Sequence, residues 1–129
     1  MTDLNVLAER VEREAPSREL DTAVWIAIGL TEKQEAHCAA WCRQYDRIDL
    51  TRTMYLNAWS PKFTSSVDAA LNLIPEGYTW TIDGGACPTS VRLESQDSGR
   101  HFESDAMYGA AAALTAACLR ARAAMEGQP

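Results

Sequence analysis

The chain has 129 residues, 47% of them hydrophobic, and a formal net charge of −6. That length predicts one domain with room for a core that needs no staples, and the apolar fraction excludes a disordered chain. The acidic balance, with both signs interspersed, argues against nonspecific binding to DNA or to anionic membranes.

Met1–Asn5 shows no basic segment followed by an apolar one, so no secretory signal is read and the expected compartment is the cytoplasm. Cys38, Cys42, Cys87 and Cys118 are then expected as reduced thiols. The most apolar run, Ala106–Leu119, is too short and alanine-rich to span a bilayer.

In chain order, Asp3 is placed to cap a first helix running to about Glu14. Leu4, Leu7 and Val11 make its apolar seam, and Glu9 and Arg13 are spaced to pair on its wet face. Pro16 and Ser17 break and restart the chain. The next helix carries Leu20, Ala23, Val24, Ala27 and Ile28 on one face, Trp25 off it, and Gly29 as its stop. Thr31 with Gln34 reads as a capping box for a third helix, Glu32 to about Tyr45, whose face carries Cys38, Trp41, Cys42 and Tyr45. Met54–Trp59 alternates and is expected as a short edge strand ended by Ser60-Pro61.

Ser65 with Asp68 reads as the cap of a further helix, with Val67, Ala70, Leu71 and Ile74 on its buried face and Pro75 as its stop. After the turn at Pro75–Gly77, Tyr78, Trp80 and Ile82 point inward along a strand. Asp83-Gly84-Gly85 opens a hairpin to a strand at Val91–Leu93. Gln96–Gly99 turns into a third strand around Phe102, Arg100–Glu103. Ser104 or Asp105 is expected to cap the last helix, Ala106 to about Met125, with Met107, Ala110, Ala111, Leu114, Cys118, Ala121 and Met125 as its buried stripe. Three to four antiparallel strands packed by helices give an α+β fold, and no linker divides residues 1–129.

Pro61–Trp80, with Arg18–Gly29 before it and Ala110–Ala124 after it, resembles the phage ABA-sandwich domain family. The likeness lies in a Leu-Asp helix ending at glycine, a Phe-Thr-Ser-Ser-Val-Asp-Ala-Ala motif leading to Pro-Glu-Gly, and an alanine-rich terminal helix. It covers about half of the chain, and the central motif is the specific part. The resemblance implies a small phage- or prophage-encoded protein with layered α-β-α architecture, working inside a host cell. It implies no activity, cofactor or catalytic residue. Tyr78 stands where tryptophan is usual, and residues 31–60 have no counterpart, leaving core elements at 17–29 and 62–125.

Candidate chemistry is sparse. Cys38 and Cys42, four apart on a helix, could turn two thiolates toward one zinc beside His37, with Cys87, Cys118 or His101 completing the set. The same face also reads as soft packing around Trp41. His101, Ser104 and Asp105 could be written as a triad, but Ser104 and Asp105 serve as caps. Asp83-Gly84-Gly85 lacks the helix a phosphate loop needs, and Asp68 reads as part of a cap.

These observations point to a non-enzymatic accessory protein acting by protein–protein contact, with inhibition of a host defence system as its most concrete form. The expected partner is a host or phage protein, contacted through Trp41, Tyr45, Tyr55 and Trp59, with no cofactor and no direct nucleic-acid or membrane binding. Two alternatives stand beside it. One is a small zinc module on His37, Cys38 and Cys42. The other is a pocket between sheet and helices that holds a nucleotide signal.

Overall fold

Helix α6 (Ala110–Met125) is the axis of the molecule. Every residue from Ala111 to Leu119 is buried, as are Ala121 and Ala123. A helix buried around its whole circumference needs small side chains where neighbours come close, and alanine supplies them. Leu114 and Leu119 fill the wider gaps, each contributing about 1.5–3 kcal/mol by leaving water. The computed structural model describes residues 3–45, 52–83 and 89–125.

Against α6 pack α1 (Leu4–Arg13), α5 (Val67–Leu71) and two strands, β2 (Thr89–Ser95) and β3 (His101–Ala106). With β1 (Tyr78–Asp83) they form an antiparallel meander in the order β1-β2-β3. Trp80 faces Leu93, which faces Phe102, and Ile82 faces Val91, which faces Ser104. Val91, Leu93, Ser104 and Ala106 are buried. The alternate residues Thr79, Thr81, Arg92, Glu94, Glu103 and Asp105 are exposed, so one face is covered and the other is polar and wet. The α+β expectation of helices packed on a small antiparallel sheet is met, with three strands among the described residues. Helices α2 (Arg18–Ile28), α3 (Glu32–Tyr45) and α4 (Arg52–Trp59) complete the described helices, α4 packing on both α2 and α3.

Local capping chemistry explains most helix boundaries. Asp3 accepts from the amides of Asn5 and Val6, and Ser17 from that of Leu20. Gly29 ends α2 at φ 85°, where a Cβ would be strained. The Thr31–Gln34 capping box forms reciprocally: the Thr31 amide donates to Gln34 Oε1, and the Gln34 amide donates to Thr31 Oγ1.

Several expectations are corrected. Met54–Trp59 lies in helix α4, not in a strand. Leu, Met and Ala favour helix, Met54–Trp59 has no β-branched residue, and helical spacing puts Tyr55 and Trp59 on one side. Ser66, not Ser65, caps α5, accepting from the Ala69 amide. The wet-face ion pair of α1 is Arg10–Glu14 at 2.9 Å. Ser104 and Asp105 continue β3 instead of capping α6, which begins after Gly109 at φ 115°. That shift leaves Met107 exposed, and Met125 is exposed at the other end of α6. Trp80, expected in the core, is 44% exposed, because β1 is an edge strand.

Two polar clusters lock the elements together. Asp21, on α2, accepts from the Thr64 amide at 2.8 Å and from the Thr64 hydroxyl at 2.7 Å. The Thr115 hydroxyl of α6 donates to the Phe63 carbonyl at 2.7 Å. Phe63-Thr64 is thus pinned from both sides, so the motif leading to Pro75 is scaffold. The second cluster joins α1, β3 and α6. Arg120 donates to both oxygens of Glu12, at 2.7 and 2.6 Å, and the Ser104 hydroxyl donates to Glu12 at 2.6 Å. Burial pushes the Glu12 carboxyl up, but the hydrogen bonds from Arg120 and Ser104 outweigh it and hold the group below its ordinary value.

Candidate functional site

The α3–α4 face gathers five rings from three helices. Tyr55 is its hub: its ring centroid lies 5.9 Å from that of Trp25, 5.5 Å from His37, 5.7 Å from Trp41 and 6.3 Å from Trp59. Tyr55 is 2% exposed. The spacing that made α4 a helix also builds this cluster, since Tyr55 and Trp59 stand one turn apart, as do His37 and Trp41. Above the buried hub sits Trp59, 50% exposed, with its ring edge-on to His37 at 4.9 Å. Edge-to-face and offset contacts of this kind fix ring orientation and contribute about 0.5–1.5 kcal/mol per pair.

Polar contacts hold the cluster from below. The Tyr55 hydroxyl and His37 Nδ1 share a hydrogen bond of 2.7 Å, whose direction follows the imidazole tautomer. Burial pushes the Tyr55 phenol above its ordinary value, so it stays protonated at neutral pH and can donate to the imidazole. Trp25 Nε1–H donates to Gln34 Oε1 at 3.1 Å, tying the ring to the α3 capping box. At the other end Arg52 donates to both oxygens of Glu35, at 2.6 Å each, clasping α4 to α3 in the open. Arg18 of α2 donates to the Asn57 carbonyl at 2.9 Å.

Of the four residues expected to meet a partner, three therefore lie together, in different roles. Trp59 is presented to solvent, Trp41 is half-buried, and Tyr55 is a buried support with little surface to offer. Tyr45 ends α3, with its side chain outside the described residues. His37, drawn in the sequence as a metal ligand, joins the aromatic face, and Trp25 belongs to it as well. The signal for His37 was present as the His37–Trp41 helical spacing. Nothing local announced Trp25, because its place in the cluster depends on how α2 meets α4.

The zinc set does not assemble: among the described residues no three His, Cys, Asp or Glu side chains stand together to hold a metal. Cys38 is buried and Cys42 half-buried. Burial pushes the Cys38 thiol up, and neighbouring Cys42 adds to it, so the thiol stays protonated at neutral pH. Cys118, inside α6, is pushed by burial up to about 12. Cys87 and Gly84-Gly85 lie outside the described residues. Ser104 and Asp105 are consecutive in β3 and so point to opposite faces, and the Ser104 hydroxyl is bound to Glu12, so no triad forms with His101.

Among the described residues no helix is long and apolar enough to cross a membrane. Compared with protein-family models, with curated proteins and with solved structures, the chain matches none.

Proposed function

We propose that this protein works as a non-enzymatic binding protein, contacting a partner protein through the α3–α4 aromatic face. The observation that carries the reading is Trp59: a large apolar ring, half exposed, held edge-on by His37 over a buried tyrosine. A rigid aromatic loses little side-chain entropy when it enters a partner's pocket, which is why tryptophan dominates binding hot spots. The net charge of −6 favours a partner whose pocket has a basic rim. With the family resemblance of Pro61–Trp80, the partner we infer is a host protein engaged by a phage or prophage product in the cytoplasm of the cell, with inhibition of host defence as the consequence.

Trp59→Ala removes the exposed ring and leaves the buried hub in place. In a pull-down from host lysate followed by calorimetry with the purified partner, wild-type protein is expected to retain one host protein that Trp59→Ala releases. An identical set of retained proteins for both forms sinks this reading of the face.

A further inference from the structure

A second feature shares Trp25 with the aromatic cluster but is lined by none of its other rings. A cleft of about 580 Å³ opens between the end of α2, the turn into α3, α5 and the C-terminal part of α6. That volume is within the range of small-molecule sites, roughly 300–1,000 Å³. Ile28, Leu30 and Pro61, all half-buried, supply accessible apolar wall, backed by the buried Trp25, Phe63 and Leu73, while Gln34, Asn72 and Arg122 bring polar groups to it.

Charge distinguishes the cleft from the rest of the surface. The chain carries net −6, yet among the described residues the lining includes Arg122 and no carboxylate. Arg122 Nε–H donates to the Leu73 carbonyl at 3.1 Å, which fixes the guanidinium against a wall residue. None of the described ion pairs includes it. An arginine held by one nitrogen keeps its other donors for a forked contact with an anion. We propose that this cleft binds a small molecule with one flat apolar ring and one anionic group: the ring lies against Ile28, Leu30 and Pro61, above the buried Trp25, and Arg122 takes the anion. Carboxylate and phosphate share the chemistry Arg122 recognises.

The test is a titration of the ¹⁵N-labelled full chain, followed by nuclear magnetic resonance at the indole N–H that Trp25 donates to Gln34. Indole-3-acetate and phenyl phosphate are the anionic probes, and 3-methylindole is the neutral one. At least one anionic probe is expected to shift the Trp25 signal saturably, without shifting that of Trp59. The better of the two identifies the head group. 3-Methylindole should bind about tenfold more weakly, the size of one charge-assisted hydrogen bond. Arg122→Gln should weaken the anionic probe by about the same factor, and Arg122→Lys should recover part of the loss. Ala69→Leu, which narrows the cleft, should weaken both kinds of probe. No saturable shift up to about 10 mM of either anionic probe overturns the proposal, because it leaves only trivial affinity. Equal affinity for 3-methylindole and the anions overturns it without recourse to any variant. Loss of partner binding in Trp59→Ala has no bearing on these outcomes, so the two sites stand or fall separately.

Discussion

At the junction of α1, β3 and α6, polar side chains turn inward and satisfy one another, with Glu12 holding Arg120 and Ser104 across three elements. On the α3–α4 face the Tyr55–His37 hydrogen bond is part-buried, and what it supports is a ring left in the open. The junction holds one arrangement of secondary structure. The face holds one arrangement of aromatic surface, and it does so from α4, which packs on both α2 and α3. A residue of the first kind should therefore be read out in stability, and one of the second kind in binding.

Leu119→Ala should draw the sharpest line between them. It opens a cavity in a helix with no free side, and the expected cost is about 3–4 kcal/mol, seen as a lower urea midpoint with an unchanged slope. Asp21→Ala comes next. It leaves the Thr64 amide and hydroxyl, both buried, without their acceptor, at about 2–3 kcal/mol. Asp21→Asn keeps one acceptor oxygen and should lose less. If Asp21→Ala were neutral, the Asp21–Thr64 tie would not be what fixes the motif.

Glu12→Gln should cost about 1–2 kcal/mol at neutral pH, and its dependence on pH has a definite sign. The Glu12 carboxyl sits below its ordinary value in the folded protein, so the unfolded chain takes up the proton first as pH falls. The stability it contributes is fully present above the unfolded carboxylate value, about 4.3, and is lost as pH falls through the folded one. The gap between wild type and Glu12→Gln should be flat from pH 7 to about 5 and close below that. Unfolding curves across the acid range check it. A gap that widened in acid would mean the carboxylate is not the form that Arg120 and Ser104 hold.

The sequence was informative where structure is local. The Asp3 cap, the Thr31–Gln34 box, the glycine stop of α2 and the hairpin strands each rest on residues within a few positions of one another, and all were legible. Two misreadings, the α5 cap and the α1 ion pair, are slips of one residue; the others share a cause, which is context beyond the segment. Tyr55, Asn57 and Trp59 alternate on paper as in a strand, and the packing of α4 on α2 and α3 joins the helix propensity of Met54, Leu56 and Ala58 in deciding for helix. Trp80 fits the inward pattern of β1, but an edge strand has no neighbour to cover it. The Glu12–Arg120–Ser104 cluster joins residues so far apart in the chain that no spacing rule reaches them. The aromatic face was half legible, because Trp41, Tyr55 and Trp59 were named for it, whereas His37, Trp25 and the division into hub and tip were not.

That division sets the smallest effect and the one that separates the two regions best. Tyr55→Phe removes the hydroxyl bound to His37 but keeps the buried ring, so it should cost about 1 kcal/mol. Trp59→Ala removes a ring already half in water and forgoes its two contacts with His37 and Tyr55, together about 1 kcal/mol at the low end for such pairs because the ring is half exposed. The two variants should thus be nearly equal in urea and unequal on the partner. Tyr55→Phe leaves Trp59 on the surface and should weaken binding only as far as the looser His37 lets the ring wander. Trp59→Ala should abolish binding. Equal losses of binding from the two would make the hub, and the rigidity it provides, the source of affinity. A large stability loss from Trp59→Ala would return Trp59 to the core and leave the face with no exposed anchor.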